Sequence, residues 1–243
     1  MRDCKTEIRE RVAFIRRLLD EAHADGIVYG NSGGKDCTLV GALCKLACEN
    51  TVGIIMPCSS SSNYGSDKKD ALEAGRVFGI PQRTVDLTSA RESLLSSLEG
   101  VTEPNAQALT NIAPRLRMTT LYAIAAAENR MVAGTGNKCE IFMGYFTKWG
   151  DGGSDFNPIA DLTVDEVYAL LDYLGAPESI IKKAPSAGLY EGQTDEKDMG
   201  VTYREVADYI MGKEIVPTSR EIIERYHARS EHKRQMPKTF SIS

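Results

Sequence analysis

The 243-residue chain has 42% hydrophobic residues and a formal net charge of −5, from 29 basic and 34 acidic side chains. That length suits one large α/β domain and hardly two, and the acidic balance argues against a nucleic-acid binder, which favours a basic excess. No apolar run reaches the roughly 20 residues that cross a membrane, and Met1-Arg2-Asp3-Cys4 opens a charged stretch rather than a signal peptide, so a cytoplasmic protein is expected.

Residues 5–24 put Ile8, Val12, Ile15, Leu18, Leu19 and Ala22 on one face and predict an amphipathic helix. "GIVYG" (26–30) is a short apolar run between glycines, as expected of a buried parallel strand. A helix over 35–49 follows, then a strand in "TVGIIMP" (51–57), a serine-rich loop (58–66) and a helix over 67–78. Next come a strand near 82–87 and a helix near 88–97. Residues 106–129 read as a helix in which Pro114 sits in the first turn or marks a kink. "RMVAGT" (130–135) is a strand, and a short helix starts near Asn137. The glycine-rich stretch 145–158 and the stretch 184–196 are too irregular for regular structure and long enough to be functional. No internal repeat or linker interrupts the chain.

Strands alternating with helices predict a doubly wound parallel sheet, which binds ligands beyond the carboxyl ends of its strands. Ser32–Asp36, Pro57–Ser62 and Thr135–Glu140 fall there. The six cysteines (Cys4, Cys37, Cys44, Cys48, Cys58 and Cys139) form no CxxC pair. Cys37, Cys44 and Cys48, spaced i, i+7 and i+11, share a helix face and read as small buried residues, with a metal or sulfur-transfer site as the alternative.

The first strand meets its helix through Gly30-Asn31-Ser32-Gly33-Gly34-Lys35-Asp36-Cys37. Two glycines strip the turn of side chains, so backbone N–H groups can approach an anion. The helix beginning at Lys35 adds the positive end of its dipole, Ser32 offers a hydroxyl, and Asp36 is placed to bind a metal ion on phosphate oxygens. A phosphate cradle and a plain structural turn both fit this loop alone. It is neither the G-x-x-x-x-G-K-[ST] nor the G-x-G-x-x-G pattern.

Ser32-Gly33-Gly34-Lys35-Asp36 resembles the pyrophosphate loop of the N-type ATP pyrophosphatases, which cleave ATP between the α and β phosphates and adenylate a carbonyl or carboxyl oxygen. Later segments resemble one family in that group, the NAD synthetases, in that family's order: "RLRMTTLY" (115–122), "GTGNKCE" (134–140), "GYFTKWGDGGSDFNPIADL" (144–162), "PSAGLYEGQTDE" (185–196) and "EHKRQMP" (231–237). The resemblance spans nearly the whole chain, read as a single domain over 1–243. It implies an α/β, doubly wound parallel sheet flanked by helices, of the adenine nucleotide alpha hydrolase type. It also implies a ligase that adenylates the nicotinate carboxylate of deamido-NAD and amidates it with ammonia, giving NAD, AMP and pyrophosphate. ATP would be co-substrate, Mg²⁺ the cofactor and a homodimer the assembly, with helix 5–24 a part of its interface. Neither nucleic acid nor membrane is implied as a partner.

By the same resemblance, Gly30–Cys37 hold the ATP phosphates, and Thr135 and Ser186 contact ATP. Asp36 and Glu140 hold Mg²⁺ and, with Asp155, form the catalytic set. Arg115, Lys148, Asp155, His232 and Lys233 bind the dinucleotide, their cations facing its pyrophosphate. Read without it, Glu140 is a favoured carboxylate in a helical first turn, "EHKRQ" is a solvated tail, and Trp149 needs no role beyond packing. Two positions depart from the family. Cys37 stands where the loop has serine, and Val164 where a lysine contacts ATP; Lys35, Lys182 and Lys183 are the candidate replacements. A tRNA-modifying thiolase of the same fold is one rival, expected to show paired cysteines and a basic surface. A nucleotide-binding homologue without catalysis is the other. Glutamine-using members carry an additional amidase domain, and with the phosphate loop already at residue 30, ammonia is the expected nitrogen source.

Overall fold

The computed structural model describes residues 3–59, 64–183 and 195–240. Strands β1 (Gly26–Gly30), β2 (Thr51–Ile55), β3 (Gln82–Thr84) and β4 (Arg130–Ala133) form one sheet in the order β3-β2-β1-β4, every pair parallel. The two central strands, β1 and β2, are apolar and buried on both faces, as a sheet covered by helices requires, whereas the edge strands β3 and β4 are partly exposed. Ile27 and Tyr29 face one helical layer and Val28 the other, so the period-two alternation divides β1 between two cores.

Helices α1 (Cys4–Ala22) and α2 (Lys35–Ala47) cover one face, joined by α7 (Val164–Tyr173); Ile15, Leu19, Leu39, Leu43, Val167 and Leu171 fill that core. Gly41 of α2 lies against Tyr29, whose hydroxyl would be 2.4 Å from any added Cβ, so a buried aromatic ring on the strand requires glycine on the helix. The opposite face packs on α5 (Ala106–Glu128) through Leu121 and Ala125. Between these come α3 (Ser66–Val77) and α4 (Thr88–Leu98). A satellite core gathers α6 (Lys138–Met143), α9 (Asp195–Met199), α10 (Tyr203–Ile210) and α11 (Pro217–Arg229) around Met143, Val206 and Ile223. A short α8 (Glu178–Ile181) lies between α7 and α9, and a 3₁₀ turn (Glu231–Lys233) ends the ordered elements.

Two expectations, for Pro114 and Trp149, need adjustment. Pro114 lies buried inside α5 rather than in its first turn, and the helix continues through it. Of the α1 stripe, Ile15 and Leu19 are buried in the main core, while Ile8, Val12 and Leu18 are only partly buried. Trp149 is not a packing residue: it is 49% exposed and its backbone is left-handed, at φ 58°. Strands also end earlier than their apolar runs. β2 stops at Ile55, although Val85 N–H and Leu87 N–H still donate to the Ile55 and Pro57 carbonyls at 2.9 Å.

The chain winds outward from β1 to β2 and β3, then returns past β1 to lay down β4 on its other side. The direction of winding therefore reverses between β1 and β4. A crevice opens at such a point beyond the strands' carboxyl ends.

Candidate active site

The first wall of that crevice is loop 30–37. Asn31 is buried and fixes the loop: its Nδ2 donates to Ala71 O and Gln82 Oε1, each at 3.0 Å, and its Oδ1 accepts from Gly33 N at 3.1 Å. Gly33 has φ 75°, and a Cβ there would lie 2.3 Å from the Asp67 carbonyl, so the turn admits only glycine. Gly34 takes the N-cap position of α2 without any side-chain cap, which leaves the helix's first N–H groups facing the crevice. The Cys37 thiol turns back into the loop, 3.2 Å from Gly34 O and 3.3 Å from Ser32 Oγ. Burial raises its pKa, so it remains a thiol that ties the turn.

The second wall is the 134–140 segment after β4. Asn137 caps α6, accepting from Cys139 N and Glu140 N, while Glu140 Oε2 accepts from Asn137 N at 2.9 Å to close a capping box. Asn137 Nδ2 then donates across the crevice to Asp36 Oδ1 at 3.2 Å. The two expected metal carboxylates are thus tied to one asparagine. Burial, then the nearby Asp36 charge, holds the Glu140 carboxyl well above its ordinary range. Lys35, 6% exposed, places Nζ 2.7 Å from Asp36 Oδ2 and 5.4 Å from the centre of the Tyr203 ring. Burial works against its charge, but Asp36 and Glu140 outweigh it and keep the ammonium pKa above normal. Two carboxylates tied to one asparagine beside an open cleft suit a Mg²⁺ ion, whose shell phosphate oxygens and water would complete.

Between the walls lies a cleft of about 1390 Å³, larger than the roughly 300–1,000 Å³ of a single-ligand pocket. Of the expected residues, Gly30, Asn31, Ser32, Gly34, Lys35, Asp36, Cys37, Thr135, Glu140, His232 and Lys233 line it. Lys233 Nζ donates to Gly144 O at 2.7 Å and Phe146 O at 2.6 Å, and burial lowers its pKa. Arg115 and Lys148 stand outside the lining and link to it: Arg115 Nη2 donates to Lys148 O at 3.4 Å, and Lys148 Nζ donates to His232 O. Asp155 is committed elsewhere, its Oδ2 accepting from Val132 N at 2.7 Å and its Oδ1 from Tyr122 Oη at 3.0 Å. Ser186 and most of the 184–196 stretch lie outside the described residues.

Several lining residues escape a reading of sequence. Arg117, two residues after Arg115, is the arginine of that motif that reaches the cleft, with Nε on Met56 O at 3.1 Å. Residues i and i+2 point apart on a helix, and the sequence does not say which one faces inward. Asp151 lines the cleft with its residue surface still exposed, accepts from Thr147 N at 2.9 Å, and has its carboxyl pKa raised by desolvation. Asn137 could have been found, because N-x-x-E before a helix is a capping-box signature. Of the candidate substitutes for a lysine at 164, Lys182 is a surface residue paired with Glu178. Lys183 lines the cleft, held at 2.8 Å by Asp67 and 2.7 Å by Asp70. Val164 is 6% exposed and packs with Cys139 and Tyr203.

A parallel sheet with a glycine phosphate loop at its switch point, faced by paired carboxylates, defines a nucleotide-binding protein of the adenine nucleotide alpha hydrolase type. The chain belongs to the NAD synthase family, whose pattern it matches over residues 7–237. It is 46% identical to the NH(3)-dependent NAD(+) synthetase of Carboxydothermus hydrogenoformans, across 96% of this chain and 95% of that one. The NMN synthetase of Francisella tularensis superposes with a TM-score of 0.95 at 37% identity, covering 100% of both chains. The NH3-dependent NAD synthetase of Campylobacter jejuni gives 0.82 at 29% identity, covering 99% and 100%.

Proposed function

We propose that this member of the NAD synthase family, a ligase, converts deamido-NAD to NAD with ATP and ammonia. A nicotinate carboxylate oxygen attacks the α-phosphorus of ATP and pyrophosphate leaves. The ammonia lone pair then attacks the acyl carbon, AMP leaves with the bonding electrons, and a proton is lost from nitrogen. The observation that carries this is the pairing of the Gly33-Gly34 turn with Asp36 and Glu140 across one asparagine at the switch point. The N–H groups at the start of α2 and the Lys35 ammonium are the chain's own donors for phosphate oxygens. Asp36 and Glu140 would hold Mg²⁺, which supplies charge neutralisation as pyrophosphate departs. Arg115, Lys148 and Lys233 form a cationic rim for the second nucleotide, with His232 beside them, and Thr135 and Ser186 are assigned to ATP. Asp155 is assigned to the substrate as well, its two oxygens each keeping a free lone pair beside the bonds to Val132 N and Tyr122 Oη.

Neither rival gains support: among the described residues no cluster of three metal-ligating side chains exists, and all six cysteines are unpaired. A homodimer and a cytoplasmic site remain part of the proposal, and sedimentation of the pure protein tests the first. A second reading rests on the full-length superposition with the Francisella enzyme, described as an NMN synthetase. Nicotinate mononucleotide presents the same carboxylate without the adenylyl half. Parallel assays of AMP release with each acid decide: a higher kcat/KM for deamido-NAD supports the first reading, and the reverse replaces it with the second. No AMP from either acid defeats both.

A further inference from the structure

Lys35 sits between the glycine turn and Asp36, and its burial is of a degree an ammonium tolerates only when paired. Its partners are the very groups assigned to the metal: Asp36 at 2.7 Å, with the Glu140 carboxylate also acting on its charge. Asn137 draws those two carboxylates toward one place, where a neighbouring cation favours the charged form of each. Lys35 supplies one from within the chain. Its other neighbours are the Tyr203 ring and Tyr168, which lies one turn beyond Val164 on α7. Val164 itself packs with Tyr203. The Lys35 ammonium therefore arrives from α2 in the quarter of the site that a lysine at 164 would reach from α7.

We propose that Lys35 is an exchangeable internal cation, which holds Asp36 and Glu140 together before metal binds and is displaced by Mg²⁺ onto the ATP phosphates, replacing the lysine absent at 164. This rests on the reading of Asp36 and Glu140 as the metal pair. Lys35 then competes with the metal, so removing its charge strengthens metal binding in the absence of nucleotide. It also leaves Asp36 and Glu140 without their internal cation when metal is withheld.

The test is Mn²⁺ binding without nucleotide, followed by the electron paramagnetic resonance of the free ion, in the wild-type protein and in Lys35→Met, Lys35→Gln and Asp36→Asn. Thermal denaturation in EDTA and in Mg²⁺ runs alongside. Asp36→Asn is expected to lose Mn²⁺ binding, and both Lys35 variants to bind about tenfold more tightly, the scale of one adjacent charge. Both should melt below wild type in EDTA and recover in Mg²⁺. A Lys35→Met protein that folds only with Mg²⁺ also supports the exchange. If Asp36→Asn loses Mn²⁺ while both Lys35 variants bind it no better than wild type, the exchange is refuted and the metal pair stands. If Asp36→Asn binds Mn²⁺ like wild type, the metal pair is wrong and the proposal falls with it.

Discussion

Asp36 and Glu140 are held differently, and their variants should fail differently. Glutamine at 140 can still accept from Asn137 N, so Glu140→Gln removes charge while keeping the cap on α6. Asparagine at 36 leaves the buried Lys35 ammonium without its nearest anion. Both variants should lower AMP formation by about 10²–10³-fold, the scale of a lost charge-stabilising group. Only Asp36→Asn should also unfold at clearly lower urea. Near wild-type rates from both in saturating Mg²⁺ would sink the metal assignment. Asp151 gives a pH test. Desolvation of its carboxyl in the cleft raises the folded pKa above the unfolded value, so its contribution is fully present below the ordinary carboxylate range and is lost as pH rises through the folded pKa. Asp151→Asn does not titrate and can still accept from Thr147 N. Its melting temperature relative to wild type should therefore climb from acid toward neutral pH; a gap independent of pH refutes this.

At the level of elements, α6 is the joint of the site. Asparagine 137 both starts that helix and reaches Asp36, so Asn137→Ala should cost about 1–2 kcal/mol of stability, as a lost cap does, and should slow AMP release as well. Urea unfolding and a rate assay on the same preparation check the pair; loss of stability with full activity would show that the bridge to Asp36 is ornamental to catalysis. Helix α7 answers the lysine expected at 164. Valine there is part of the satellite core, so Val164→Lys should destabilise by about 2 kcal/mol or more, the worth of a buried valine, and should leave the ATP KM no lower. A lower KM with normal folding would mean the position opens onto phosphate. These elements also mark what could be read in advance. The turn at Gly33-Gly34 was legible because it has a local cause, a strand meeting a helix through residues without side chains. The periodicity of α1 was legible too, but which surface covers its stripe is a tertiary fact; α2 covers it. Arg115 and Arg117 sit on one helix, and Asp155 faces a strand 23 residues earlier, so packing alone decided where each points.

For the whole molecule, loop 30–37, the 134–140 segment and Lys233 gather in one cleft at one end of the sheet, and the proposed chemistry leaves open the source of nitrogen. Ammonia must be uncharged to attack. The rate with ammonium salts should therefore rise with pH toward the ammonium pKa, and ammonia-free glutamine should give no NAD. Cys37 is a raised, buried thiol in the phosphate turn, and burial raises Cys44 as well, so neither is a ready thiolate for a glutaminase. Product from glutamine alone would show an amidase site elsewhere in the chain. The bonds that occupy Asp155 have a consequence for the protein in solution. β4 ends the sheet, and an end strand normally offers bare donors and acceptors to any extended chain that drifts by. Here Asp155 takes the Val132 N–H with its side chain, returns its own N–H to the Val132 carbonyl at 2.9 Å, and Gly134 N–H donates to Phe156 O at 2.7 Å. The margin is closed by the very segment that carries the substrate motif, so the glycine-rich stretch also guards the sheet against adding a foreign strand and growing into aggregate.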